Sequence, residues 1–485
     1  MRVSRVGKAL VVATALAVVA ACGGDGGGAA DGGTAGGGPS INGEGLVSGG
    51  QTGESGFATG TDLPLPLAAA EITWMHNGTA EPQRSYWAQV ATQFEALHPG
   101  VTVTVVPVDS DELRTAIGPD ALLAGDAPDL FQSWGGGQLT EWVNEGLTRD
   151  LGEVLAPTIS GLNQAAITNW QLNDQTYGLP YAVGPAGFWV NLNLMKEAGL
   201  ADSSGTVTWP TDLDGLFAMW ATLKDHGITP VAVGGGSGWA APFWYYALVA
   251  QLCSAETINA ASTLRDFSDS CWEQAGTELK AVVNQDAFNE DWGNTPAQGG
   301  ADSSAGQVAL GRAAMELSGP WGGAVISSIY QGQAGSTGAA DFIAWYPFPA
   351  VAAGGGGSIA AGGDGFSVLD PSLGSEARSD AAAALLAFIL SDEVQAQGLN
   401  FDYRGNDVAA LPGIPTNSAV AAQAENPILA KQTASLAAAD HQVPWLDVHF
   451  GSTIGSAMTS AVNSLMRGQI SAAALVTAIK DAAGI

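Results

Sequence analysis

Short apolar runs suited to strands alternate along this chain with longer segments whose apolar residues recur at helical spacing. Residues 71–76 (EITWMH) read as a strand, and 83–97 follow as a helix because Trp87, Val90, Ala91 and Phe94 recur at i, i+3, i+4 and i+7. A second strand over 101–106 comes after His98-Pro99-Gly100, then a helix over 112–124, a strand over 129–132 and a helix over 138–145. After Gly187 the order resumes with a strand at 188–191, a helix at 213–226 and a strand at 229–233, and helix-rich sequence runs on to about residue 289. This repetition predicts an α/β fold with a mostly parallel sheet. Residues 309–317 and 342–347 read as short segments leading into 351–363, which is almost all Gly and Ala and is expected to be a mobile loop or hinge crossing. No repeat of fixed period is present.

The alternation does not extend to the start of the chain. Arg2, Arg5 and Lys8 precede an apolar run over 9–21 that is short for a membrane span and ends in small residues, so 1–21 is expected to be a signal peptide. Cys22 follows Val19-Ala20-Ala21, as at the lipobox where a bacterial signal is cut before a cysteine that takes a lipid. Residues 22–66 are dominated by Gly, Ala, Ser and Thr, with little apolar bulk to offset the entropy of ordering, and are expected to be a flexible tether. Together these place the protein, lipid-anchored, on the extracellular face of the bacterial cytoplasmic membrane.

The formal charge is −31, and removing 1–21 takes away three basic and no acidic groups, giving −34 (−31 − 3). Such a surface repels phosphate backbones, which excludes nucleic acid as the main partner and disfavours anionic ligands. With Cys22 assigned to lipid, Cys253 and Cys271 remain; outside the cell the pair is expected to form a disulfide, the alternative being two buried thiols. Two cysteines without nearby histidines do not suit a metal.

Several segments, in order over nearly all the remaining chain, resemble the extracellular solute-binding proteins of ABC importers, in the large group that binds sugars. These are FEALHPGVTV from Phe94, AGDAPDLF from Ala124, YGLPYA from Tyr177, WVNLNLMKEAGL from Trp189 and the long segment from Thr208 to Gly235. GRAAMELSGPWGG from Gly311, GGDGFSVL from Gly362 and AFILSDEVQAQ from Ala387 complete the series, while Val190 stands where the family commonly has Tyr. The resemblance implies a periplasmic-binding-protein-like fold: two discontinuous α/β lobes around a central cleft that closes on its ligand by hinge motion. It places one lobe at 67–183 plus 363–412 and the other at 184–362 plus 413–485. It also implies membrane permease subunits as partners, a monomer, and no cofactor.

A carbohydrate cleft needs aromatic faces for stacking beside planar polar groups for hydroxyls. Trp321 stands in Ser318-Gly-Pro-Trp-Gly-Gly323, among residues with no bulk to bury it, and at the family's GPW position. Trp239 lies in a Gly-rich loop after a strand, Trp134 in another, and Trp445 in a late segment where the family contributes an aromatic. His76, Asn77 and Glu81 follow the first strand, where they either face the cleft or sit in a solvated loop. Asp364, between two glycines, serves a ligand or a turn. Arg404 either grips vicinal hydroxyls or pairs with a surface carboxylate. Trp74, Trp87, Trp142, Trp189 and Trp220 lie on strand or helix faces and are expected in the core, as are Trp244, Tyr245 and Tyr246.

No GxxxxGK[ST], GxSxG or HExxH motif occurs, and the five histidines share no spacing with a cysteine pair. The expected activity is capture of a sugar or oligosaccharide without turnover. The alternatives are a lipid-anchored glycoside hydrolase, which also needs aromatic clefts and paired carboxylates, or a binder of another polar solute.

Overall fold

The computed structural model describes residues 67–485 apart from 126, 334–340, 353–356 and 404–405. The signal, the tether with Cys22, and Arg404 lie outside the described residues.

Two sheets organise the chain. Strands β1 (Ala70–His76), β2 (Val101–Pro107), β3 (Leu130–Ser133), β4 (Leu179–Pro185), β9 (Ile359–Val368) and β10 (Ile414–Pro415) form the first, in the order β10-β4-β9-β3-β1-β2, with β11 (Gln442–Val443) beside β9. The second contains β5 (Gly187–Asn191), β6 (Thr229–Ala232), β7 (Ala313–Ser318) and β8 (Ile343–Pro347), in the order β8-β5-β7-β6. Each sheet anchors one α/β lobe.

The sheets are mixed, which corrects the expectation of a mostly parallel one. β1 runs parallel to β2 and β3, and β6 to β7, but β9 is antiparallel to β3 and β4, and β5 to β7 and β8. Local βαβ units give the parallel pairs. The strands that enter a sheet from the other lobe, β5 and β9, come back from the opposite end and pair antiparallel, and the short β10 also pairs antiparallel with β4.

Lobe crossings differ in detail from the sequence expectation. The chain leaves the first sheet at Pro185 and enters the second at Gly187, with Ala186 alone between. The return is complete by Ile359, so residues 359–362, expected in the second lobe, belong to a first-sheet strand, as do Ile414–Pro415. The Gly/Ala run over 359–363 is therefore strand and not loop. Its smallness answers to packing: a Cβ at Gly362 would stand 2.1 Å from Trp445 Nε1, and one at Gly363 would stand 2.9 Å from Trp170. The expected helix over 112–124 is two short ones, Ser110–Ala116 and Pro119–Leu122, broken where Gly118 precedes proline.

The first core packs helix Gln83–Leu97 on its sheet through Tyr86, Trp87, Val90, Ala91 and Phe94. Trp87 meets Trp74 edge-on at 5.3 Å, and Trp74 meets Phe366 at 5.4 Å. In the second lobe, helix Phe243–Leu252 packs on Cys271–Val283, which packs in turn on Gly451–Met466 and Ala472–Ala483. All eight expected core aromatics are buried.

The Cys253–Cys271 disulfide joins the first two of these helices, with 5.2 Å between Cα atoms. It closes a loop of 18 residues, for which chain entropy gives about 3 kcal/mol. Replacing both cysteines by alanine is expected to lower the unfolding free energy by about that amount. A denaturant midpoint equal to that of the parent protein would show that the link adds nothing.

Candidate functional site

The aromatic residues singled out from the sequence converge on one cavity between the lobes. Its volume is about 70 Å³. From the second lobe and the C-terminal segment come Trp239, after β6; Phe243, opening its helix; Trp321, after β7; and Trp445. Their rings form a continuous wall. Centroid separations are 5.7 Å for Trp239–Trp321, 5.9 Å for Phe243–Trp321, 4.9 Å for Phe243–Trp445 and 6.1 Å for Trp321–Trp445. Glycine makes room for this wall, since a Cβ at Gly319 would stand 2.3 Å from the Trp321 ring. Trp321 and Trp239 are only partly buried. The indole N–H groups of Trp321 and Trp445 have no protein acceptor among the described residues.

Facing this wall are polar groups of the first lobe. Trp134, just after β3, donates from Nε1 to Asp364 Oδ1 at 2.8 Å, and Gln132 Nε2 donates to the same oxygen at 3.1 Å. Burial pushes the Asp364 carboxyl up to about 6, against the opposing effect of the Trp134 bond. Asn77 and Glu81, between β1 and its helix, and Gln83, which opens that helix, line the cavity. Arg114 reaches Asp447 at 2.6 Å and lies 5.0 Å from the centroid of the Trp134 ring. The other Asp447 oxygen is buried and meets no donor among the described residues. The lining thus holds three carboxyl groups, Glu81, Asp364 and Asp447, against one guanidinium that is already paired. An anionic solute meets net repulsion there. A neutral polyol with an apolar face meets stacking surfaces and hydrogen-bonding groups.

Of the residues predicted from sequence, Trp321, Trp239, Trp445, Trp134, Asp364, Asn77 and Glu81 line this cavity. His76 does not, which corrects that expectation. Its ring is buried 5.1 Å from Trp74, its Nδ1 accepts from Gly78 N–H, and burial drives its pKa down to about 3. Strand alternation explains the placement, since Ile72, Trp74 and His76 share the buried face of β1. Sequence reasoning missed Phe243, Arg114, Asp447, Gln83 and Gln298. Among the described residues no cluster of side chains suits a metal ion.

Two α/β lobes with an aromatic-walled, polar-floored cavity between them are the arrangement of a solute-binding protein. Residues 78–396 match the family described as bacterial extracellular solute-binding protein, and the chain belongs to it. An uncharacterised ABC transporter extracellular-binding protein of Pyrococcus horikoshii is 24% identical over 276 residues, which are 55% of this chain and 59% of that protein. The match therefore spans less than two thirds of the relative's length. Among solved structures, a chitin oligosaccharide binding protein is 21% identical with a TM-score of 0.70, covering 86% of this chain and 98% of its own. One from work on xylan utilization by Caldanaerobius polysaccharolyticus is 22% identical with a TM-score of 0.71, over 85% and 99%. Maltose-bound MalE3 of T. maritima is 14% identical with a TM-score of 0.66, over 85% and 99%. These likenesses concern the fold. No helix among the described residues is long and apolar enough to cross a membrane.

Proposed function

We propose that this protein captures a neutral sugar or short oligosaccharide between its lobes, without turning it over, and delivers it as a monomer to the membrane subunits of an ABC importer. The observation that carries this reading is the four-ring wall of Trp239, Phe243, Trp321 and Trp445 opposite Asp364, Glu81 and Gln83. Such a wall offers stacking to the C–H face of a pyranose while the opposite groups take up its hydroxyls. The family and the oligosaccharide binders of similar fold agree with it. Chitin oligosaccharides, xylooligosaccharides, maltooligosaccharides and galactose form the natural first panel. One of them is expected to raise the melting temperature saturably, with no product formed. Turnover would favour a hydrolase, and indifference to every sugar would sink the reading.

Delivery requires closure. The lobes should approach when sugar binds, because closure follows from tighter binding to the closed state. Small-angle scattering with and without the bound sugar should show a smaller radius of gyration in its presence; an unchanged curve at saturation would remove the hinge from the mechanism.

Anchoring is part of the same reading: Cys22 carries the lipid, and residues 22–66 hold the lobes away from the membrane. Cys22→Ser is expected to move the protein from the membrane fraction into the medium. Retention of the variant on membranes to the parent's extent would refute the anchor.

A further inference from the structure

Beyond the ring wall the cleft continues into a notch of about 10 Å³, close to the space one water-sized group needs. Trp239, Gln298, Trp321 and Val325 line both the notch and the main cavity. Glu316 lines the notch only. It sits on β7, where it and Ser318 share one face of the strand, and it is 4% exposed. It is the one ionisable side chain among those lining the notch, and no salt bridge reaches it among the described residues.

A buried carboxyl without a cation is costly, and structural carboxyls are normally paired. Here the neighbour is the Ser304 hydroxyl, whose single proton is already donated to Ala297 O at 3.1 Å. Burial favours the neutral form, pushing the carboxyl up to about 8 against the opposing effect of the Ser304 hydroxyl. The carbonyl oxygen of the neutral group is left as an acceptor beside a space the size of one hydroxyl.

We propose that this notch is a one-hydroxyl subsite, in which a sugar stacked on Trp321 and Trp239 inserts one hydroxyl that donates to the Glu316 carbonyl oxygen, so that Glu316 selects the sugar's stereochemistry. This rests on the sugar-binding reading above. A hydroxyl pointing elsewhere on an epimeric ring leaves the acceptor unpaired, and sites built to bond a hydroxyl discriminate strongly against analogues that lack it.

The test uses the full protein and whichever of maltotriose, xylotriose and chitotriose gives the tightest titration, together with its monodeoxy analogues. For the wild type, one monodeoxy analogue should bind about ten-fold or more weakly than its parent. Glu316→Leu should weaken the parent sugar by a similar factor and bind that analogue and the parent alike, whereas Glu316→Gln, which keeps a carbonyl oxygen, should lose less. If the leucine variant does not fold, the analogue series on wild type and Glu316→Gln still decides. Equal binding of parent and every monodeoxy analogue by the wild type, or an unchanged ratio in the leucine variant, overturns the subsite while leaving sugar binding intact. If neither these trisaccharides nor galactose binds the wild type, the sugar reading falls and the subsite with it.

Discussion

Trp321→Ala is expected to weaken sugar binding ten- to hundred-fold while lowering the melting temperature of the free protein by only a few degrees. A ring that stacks on a ligand contributes about 1–3 kcal/mol through the apolar area it covers and the water it excludes. At about 1.4 kcal/mol per decade that is the stated loss of affinity. Its cost to the free fold is smaller because the ring is partly buried, and its packing partners are the edges of Trp239, Phe243 and Trp445. Such aromatic pairs contribute roughly 0.5–1.5 kcal/mol each, and part is recovered as the remaining rings settle. Trp142→Ala provides the contrast. That ring is fully buried against Phe131 at 5.2 Å, and its removal should cost about 3–5 kcal/mol of stability. If Trp321→Ala behaves like the core substitution and the surviving fraction binds sugar at full strength, the ring wall is packing and the cavity is not the site.

What made the wall legible in the sequence was contrast. Trp321, Trp239 and Trp134 are large rings set among glycines in segments following strands, where neighbours too small to cover them leave function as the simplest reason for their size. Phe243 offered no such contrast. It opens the run FWYYALVA, in which every residue is buried, so periodicity could not single out the one that turns toward the cavity. Arg114 and Asp447 were invisible for another reason: they stand 333 residues apart, and the 2.6 Å pair they form exists only once the C-terminal segment has returned to the first lobe.

The misplaced residues carried physical signals of their own. His76 continues the inward phase of Ile72 and Trp74, and that alternation outweighs its place beside a loop. Residues 359–363 looked like a loop because glycine and alanine lack side chains to pack. In the fold their bareness lets Trp445 and Trp170 lie against the strand. Composition alone does not separate a flexible segment from one pressed by large neighbours, because the distinguishing residues lie elsewhere in the chain. The antiparallel strand pairs were hidden likewise, since their direction depends on which lobe the chain has just left.

The free protein is expected to lose stability between about pH 6.5 and pH 8, and Glu316→Gln to remove most of that loss. In the unfolded chain the Glu316 carboxyl releases its proton near its ordinary value of 4.5, while in the folded chain burial holds the proton until about 8. Between these values the unfolded state binds fewer protons than the folded state, so stability falls as pH rises, by about 1.4 kcal/mol per pH unit for one group. The contribution is fully present below about pH 4.5 and fades as pH climbs through 8, for a total of roughly 4–5 kcal/mol. Asp364, raised to about 6 by burial, acts in the same direction over a lower and narrower window, and His76 and His449, held down by burial, act oppositely below about pH 6.5; all three are common to both proteins. The amide introduced by Glu316→Gln cannot ionise. The two proteins should therefore melt alike near pH 4 and separate steadily above pH 5, with the variant the more stable by several degrees at pH 8. Parallel melting curves across that range would mean that Glu316 is ionised and compensated in the folded state, and the donor that compensates it would then occupy the acceptor a sugar hydroxyl needs.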